Sequence, residues 1–322
     1  MAISGPHIAY ALSSEEHDAR TLVAVAQRAE AAGFRSVWIS DHYHPWIDRQ
    51  GQSPFVWSVI GGIAATTNLT VTTAVTCPTT RIHPAILAQA TATSSNLLPD
   101  GRFRFGVGTG EALNEHILGD RWPPADLRLD MLAEAVELIR RLWTGEQVTH
   151  RGRHYTVENA RIYTPPTGEV PIVISAFGPE ALQVAAEHGD GWMTTQPAAD
   201  LLDQYRDAGG KGPAYGQVKC CWGEDEAAAR SLAHELWPTS GVPGQLHQDL
   251  PTPAHFEQAA SKVTVEEATE GTPCGPDPER YVEAIRPFAE AGFDEVAVTQ
   301  IGPDQEGFFR FYERELRPRL AA

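Results

Sequence analysis

Lysine is nearly absent from this chain: among 322 residues only Lys211, Lys219 and Lys262 are lysines. Schiff-base and other ammonium chemistry therefore has few candidates, and arginine does nearly all the cationic work. Basic charge as a whole is short, with 25 Lys+Arg against 42 Asp+Glu and a formal charge of −17. A surface of that sign repels nucleic acid and anionic membrane, so neither is expected as a partner. An anionic ligand needs a local site built against that field. Cysteine is scarce too. Cys77, Cys220, Cys221 and Cys274 form no CxxC pair and no spaced metal set, and they read as reduced structural thiols. No stretch is apolar for long enough to span a bilayer. The opening MAISGPHIAYALSSEEHDAR lacks the basic segment and apolar run of a secretory signal, so a cytoplasmic location is expected.

What is present is a repeated grammar. AEAAGFRSVWISDH (29–42), AAEHGDGWMTTQ (185–196) and FAEAGFDEVAVTQIG (288–302) each join an Ala/Glu helix end, a glycine and a short apolar strand. Further strands fit at 7–11, 70–75, 103–107, 172–175 and 217–221, making eight, with amphipathic helical stretches between them. Eight strands alternating with helices give an α/β chain folded as a (β/α)8 TIM barrel, one domain over 1–322. A doubly wound sheet is the rival. Its Gly-rich turn would have to be GVGTGEALNE (106–115), which comes late and lacks GxGxxG spacing. Two stretches break the alternation: 144–170 reads as a hairpin insertion and the Pro-rich 238–276 as a loop with some helix near 256–262. Both are expected to roof the barrel mouth, where the chemistry of such barrels resides.

The second strand ends in Asp41-His42-Tyr43-His44-Pro45-Trp46. At the catalytic face, His42 can move a proton near neutral pH, a neighbouring carboxylate can fix its tautomer, and Trp46 can cover a flat ligand. A capped loop with a backbone-satisfied histidine is the bland alternative. His42-x-His44 also matches the metal pair of barrel hydrolases, but the later strand ends Val107-Gly108-Thr109, Thr194-Thr195-Gln196 and Thr299-Gln300-Ile301 supply no further ligands, and no metal is expected. The fourth strand runs into Gly106-Val107-Gly108-Thr109-Gly110-Glu111, where a planar ligand can approach the backbone, with Glu111 and Asn114 at its edge. Glu111 is a candidate acid, or alternatively the anion at a helix start. Ser175-Ala176-Phe177-Gly178-Pro179 leads into a helix N-terminus that can hold an anion.

SVWISDHYHPW, TTAVTCPTTRIHPAILAQATAT, GRFRFGVGTGEALNE and VPIVISAFGPEALQVAAEHGDGW together resemble the bacterial luciferase-like superfamily, in its coenzyme F420-dependent branch typified by sugar-phosphate dehydrogenases. The resemblance covers nearly the whole chain. It implies F420 as cofactor, hydride transfer, and a homodimer paired through helices beside the second and third strands. FMN, used by the superfamily's monooxygenases, is the alternative cofactor. By position it implies that Asp41, Ala74, Val75, Cys77, Glu111 and Asn114 line the ring beside Gly108, Thr109 and Gly110, with a non-prolyl cis peptide joining Ala74 to Val75. Ser175, Ala176, Phe177 and Gly178 would meet the cofactor's phosphate. His42, Trp46 and Glu111 match catalytic positions, with Glu15 near the ring. The branch's phosphate-gripping lysines are missing. Their places read Gln196-Pro197-Ala198 and Phe256-Glu257-Gln258, so Thr195, Gln196 and Gln258 are the substrate-side candidates. An unphosphorylated alcohol or sugar is expected in place of glucose 6-phosphate.

Overall fold

A computed structural model describes residues 5–197 and 199–320. Eight parallel strands close into a barrel: β1 (His7–Leu12), β2 (Ser36–Ile39), β3 (Thr70–Thr73), β4 (Phe103–Val107), β7 (Ile172–Ser175), β8 (Gly191–Thr194), β9 (Ala214–Cys220) and β10 (Glu295–Gln300), which pairs back onto β1. Residues Val148–Arg151 (β5) and Thr156–Ala160 (β6) form a separate antiparallel hairpin. Alternation along each strand builds two cores. Outward residues such as Val37, Ile39, Val71, Phe105, Ile174 and Val298 join the helices in the main core, while Ala9, Ala11, Trp38, Val173, Met193, Tyr215 and Ala297 fill the barrel. Gly106 is required where β4 passes β3, because a Cβ there would overlap the Thr73 carbonyl.

The helices are α1 (Ala19–Ala31), α2 (Val56–Thr66), α3 (Pro84–Leu97), α4 (Ala112–Glu115), α5 (Ala125–Leu142), α6 (Pro179–His188), α7 (Ala199–Asp207), α8 (Glu226–Leu236), α9 (Leu246–Asp249), α10 (Pro253–Ala260), α11 (Val265–Ala268), α12 (Pro278–Ala291), α13 (Gln305–Phe311) and α14 (Arg317–Leu320). In α1 one face, Leu22, Val25, Ala26 and Ala29, is buried, and Asp18 caps the start by accepting from the Arg20 and Thr21 amides.

Three sequence expectations need correction. The regular third strand stops at Thr73, short of Val75; the next peptide, Ala74–Val75, is cis, and pairing continues beyond it as a single bridge between Thr76 and Val107. The cis bond joins the residues for which the resemblance implied it. The hairpin does not roof the mouth. It connects the end of α5 to the start of β7, on the opposite side of the barrel, and stands along α5, where Glu134 accepts from the amides of Arg153, His154 and Tyr155. Its Tyr155 reaches toward the mouth side, the hydroxyl donating to the Thr79 carbonyl at 3.1 Å and the ring standing edge-on to His83. Finally, α8 is not a barrel helix. The wall against β9 is α12, whose Phe288 ring abuts Gly216.

The second insertion does cover the mouth, and it is larger than the sequence implied. Cys221 and Cys274 pair at its base, with Cys221 N donating to Pro273 O and Gly275 N to Cys221 O. The chain between them carries α8 to α11. Ala229, Ala233 and Trp237 pack on Cys221, Cys274 and Ile301, while Phe256 of α10 packs on Ile47 and Leu113.

Candidate active site

Strand ends place most of the singled-out residues around one mouth. Just beyond β1, Glu15 is buried at 2% exposure, and its Oε2 accepts from the Ser13 and Ser40 hydroxyls at 2.9 and 3.0 Å. Its Oε1 lies 2.8 Å from His42 Nδ1, a short ion-pair contact in which the ring N–H is not well aligned. Burial alone would raise the Glu15 pKa, but the charge and close contact of His42, with the Ser40 hydrogen bond, outweigh it and hold the carboxyl at about 2. Burial disfavours the imidazolium of His42 in the same way, and the Glu15 carboxylate prevails and raises its pKa. Glu15 therefore turns Nδ1 inward and leaves Nε2 as the nitrogen available to a substrate. Trp46 stands edge-on to His42 with ring centroids 5.3 Å apart, and it is itself held edge-on by Phe256.

Asp41 belongs to a second, deeper cluster. It accepts from Thr76 Oγ1 at 2.7 Å and from Arg81 Nη2 at 2.9 Å, and Arg81 also meets Glu115 through Nε at 3.4 Å and through its backbone amide at 2.7 Å. Burial pushes the Glu115 carboxyl up to about 7 against the pull of Arg81, whose charge is shared with Asp41. Sequence reasoning missed Arg81 and Glu115. The available signals were one arginine inside the small, apolar TCPTTRIHP stretch and a carboxylate one helical turn after Glu111.

The Gly-rich turn supplies a wall. Ala74 and Val75 are half-buried against the barrel interior, and a Cβ on Gly108 would lie 2.9 Å from Val75 Cγ2 and 3.7 Å from Ser175 Cβ. These small residues leave a flat, half-exposed face beside Thr109, Gly110 and Glu111. Cys77 lies under that face and not on it. It is buried, shares a 2.8 Å hydrogen bond with Thr79, and its sulfur occupies the place of a Gly110 side chain. Asn114 works from behind as well. Its Oδ1 accepts from the Tyr43 and His44 amides at 2.8 and 3.1 Å, tying the two loops together, while Nδ2 reaches Glu111 at 3.4 Å.

Across the mouth, Ser175 ends β7 and Gly178 caps α6, a ten-residue helix with Pro179 in its first turn. The Phe177 side chain is exposed and no atom lies within 4 Å of a Cβ position at Gly178, so the positive helix end is open. Ala176 is buried, its carbonyl accepting from Trp192 Nε1 at 3.0 Å. Thr195 and Gln196 are exposed after β8. Gln258 is not brought to the others: it is exposed, two residues from buried Phe256 and thus on the opposite side of α10. Ala198 lies outside the described residues.

The structure adds a cation the sequence reading passed over. Lys219, near the end of β9, places its Nζ 4.0 Å from the centroid of the Trp237 ring. Among the described residues no group of three or more His, Cys, Asp or Glu side chains converges, and His44 Nδ1 is engaged with the Leu113 carbonyl at 2.8 Å.

Residues 3–295 match the family model described as luciferase-like monooxygenase. The chain is 35% identical over 325 residues, covering 97% of it and 96% of the relative, to an F420-dependent glucose-6-phosphate dehydrogenase of Microbacterium testaceum (strain StLB037). It is 36% identical over 295 residues, 87% of the chain and 79% of the relative, to an F420-dependent hydroxymycolic acid dehydrogenase of Mycobacterium tuberculosis (strain ATCC 25618 / H37Rv). A solved F420-dependent secondary alcohol dehydrogenase in complex with an F420-acetone adduct superposes with a TM-score of 0.90 at 30% identity, covering 99% of this chain and 100% of that one.

Proposed function

Because the chain belongs to the luciferase-like monooxygenase family and its relatives across nearly the whole length are F420-dependent dehydrogenases, we propose that it is an F420-dependent oxidoreductase acting on a small alcohol or sugar hydroxyl. The observation that carries the chemical role is the His42–Glu15 contact of 2.8 Å beside Trp46 at the barrel mouth. The residues present fit the cofactor. Ala74, Val75 and Gly108 make a flat apolar wall, and a Cβ at Gly108 would push Val75 into that space. The open N-terminus of α6 suits a phosphodiester, with Ser175 and Gly178 beside it. Asp41, locked by Arg81 and Thr76, and Asn114, locked by two backbone amides, hold the surrounding loops in place.

F420, when bound, supplies the acceptor and donor of a hydride. The rest falls to this chain. His42 Nε2 takes the proton of the substrate hydroxyl, and Glu15 stabilises the resulting imidazolium and fixes its tautomer. Trp46 packs over the reacting carbon and keeps water out, with Phe256 and His247 behind it. Glu111, half-exposed at the edge of the Gly-rich wall, holds or delivers the proton that accompanies the cofactor's change of state. Glucose 6-phosphate is disfavoured as substrate. Gln258 stands where the resemblance implied a phosphate-gripping lysine, and it is turned away from the mouth.

The chain works as a homodimer in the cytoplasm. Exposed Phe55, Ile86 and Leu97 at α2 and α3 support the pairing face, and four free buried thiols support a reducing compartment. No helix among the described residues is long and apolar enough to cross a membrane. Fluorescence titration tests the cofactor: F420 is expected to bind at least about tenfold, or 1.4 kcal/mol, more tightly than FMN. Equal or tighter FMN binding with oxygen-dependent turnover would move the protein to monooxygenase chemistry, and loss of activity in EDTA with rescue by zinc would restore the metal reading of His42 and His44.

A further inference from the structure

Lys219 is the one lysine set in the mouth, and its charge is left without a partner there. By alternation along β9, with Val218 and Cys220 in the outer core, Lys219 follows Tyr215 and Gln217 on the inner face. Among the described residues no carboxylate lies within ion-pair distance of its Nζ and no acceptor within hydrogen-bond distance. Its close neighbour is the face of Trp237 at 4.0 Å.

The acids that face it are otherwise committed. Glu16 spends Oε1 on Trp237 Nε1 and Oε2 on the Gly302 amide, both at 2.7 Å. Glu15 spends its oxygens on Ser13, Ser40 and His42. His247 faces the ammonium from the roof, with Nε2 against the Thr239 carbonyl at 2.9 Å. A half-buried ammonium whose close protein neighbour is a ring face keeps its N–H donors free to meet a ligand that brings acceptors.

We infer that Lys219 anchors an anionic carboxylate on the substrate, so that the alcohol oxidised at His42 is a hydroxy acid. This rests on the F420-dependent reading above. Burial, opposed by Glu15 and Glu16, lowers the Lys219 pKa to about 8, which leaves the group cationic at neutral pH. One point charge flanked by Glu15 and Glu16 matches a monoanion, and a phosphate dianion would bring a second negative charge with no second cation to meet it. The anchor stays outside the electron balance. The hydroxyl-bearing carbon gives a hydride to the cofactor and the hydroxyl a proton to His42, forming a carbonyl while the carboxylate is unchanged.

The test compares 2-hydroxy acids of three to eight carbons with their neutral 2-hydroxy amides, and with glycerol 3-phosphate, as ligands of the F420-loaded protein by calorimetry. F420 affinity is read separately by fluorescence. In the wild type the best acid is expected to bind about tenfold or more tighter than its amide, and tighter than glycerol 3-phosphate. Lys219→Met is expected to erase the gap by weakening the acid alone, with Lys219→Arg retaining part of it. F420 affinity and Tm are expected to stay near wild type in both variants. Failure of F420 to bind the wild type defeats the functional reading itself. With F420 bound, the carboxylate anchor is overturned by an acid no better than its amide, by no acid binding at all, by a preference for glycerol 3-phosphate, or by a gap that survives in Lys219→Met.

Discussion

The two ends of this barrel hold buried charge in opposite ways. At the N-terminal end Glu295 is 5% exposed and closed off: Ser36 Oγ and Arg104 donate at 2.9 Å and Trp38 Nε1 at 2.8 Å, while Arg104 also lies over the Tyr215 ring. At the C-terminal end the Glu15–His42 pair leaves Nε2 outward, Glu111 has only a 3.4 Å contact to Asn114, and Lys219 has a ring in place of an acceptor. A hollow does not separate the ends, since a cleft lined by Arg35, Arg104, Glu295 and Tyr312 opens at the N-terminal side as well. Saturation does. A carboxylate whose oxygens are both engaged, as in Glu295, has little left to offer a ligand, whereas an incompletely engaged group is poised for one.

The sharpest way to break this contrast is to open the closed end. Glu295→Ala leaves Arg104 and the Trp38 N–H without their acceptor, and removing one partner of a buried pair costs about 3–5 kcal/mol. Denaturant unfolding should show that loss, with kcat per folded molecule unchanged. A fall in kcat with stability retained would mean that the N-terminal network serves the chemistry after all.

The open end should in turn govern the acid limb of stability. Glu15 has a folded pKa of about 2 against an ordinary 4.5, so its contribution is full above about pH 4.5 and is lost as pH falls toward 2. A shift of that size corresponds to about 3 kcal/mol. The raised pKa of His42 is the same interaction seen from its partner, present below the ordinary imidazole value and lost as pH rises through the folded one. Glu15→Gln should flatten the decline of Tm between pH 5 and 3. An unchanged slope would place the acid sensitivity elsewhere.

Legibility in the sequence also divides along this line. The barrel strands and α1 were readable because burial on both faces writes apolar runs and a helix–Gly–strand grammar into the chain. That His42, Trp46 and Glu111 stand at the mouth was readable because each lies within a few residues of the end of β2 or β4. The Arg81–Asp41–Glu115 cluster was not, because its members come from two separate loops and the end of α4, and only folding brings them to 2.7–3.4 Å. Lys219 was hidden inside a strand: alternation separates the two faces of β9, but only the packing of Val218 and Cys220 in the outer core shows which of them faces the barrel interior. The hairpin's position was misread for a related reason: composition shows that 144–170 leaves the alternation, but which end of the barrel it decorates depends on connectivity through α5.

His42→Ala tests whether the unfinished pair at the mouth is the chemical one. A positioned general base is worth about a hundredfold or more in rate, and kcat should fall by that much while F420 affinity stays within a few fold. The expectation follows from Nδ1 being turned to Glu15 and Nε2 to the substrate side. Single-turnover rates near wild type would remove His42 from the proton path and leave the Glu15 contact as a structural feature no different in kind from Glu295.

The smallest effect discriminates most finely. Gly108 sits where the wall of the open end is thinnest, and an added Cβ there would lie 2.9 Å from Val75 Cγ2. Val75 is stiff about its first side-chain torsion but half-exposed, so it can yield only toward the mouth. If that space receives the cofactor ring, the displacement in Gly108→Ala is felt as binding energy: F420 affinity should weaken by about fivefold, near 1 kcal/mol, at the low end of what overpacking costs. Tm without cofactor should move little, because Val75 is half-exposed and packs at the edge of the barrel-interior cluster. A fallen Tm with unchanged F420 affinity would show that the wall is ordinary core, closed like the other end of the barrel, and that the cofactor lies elsewhere in the mouth.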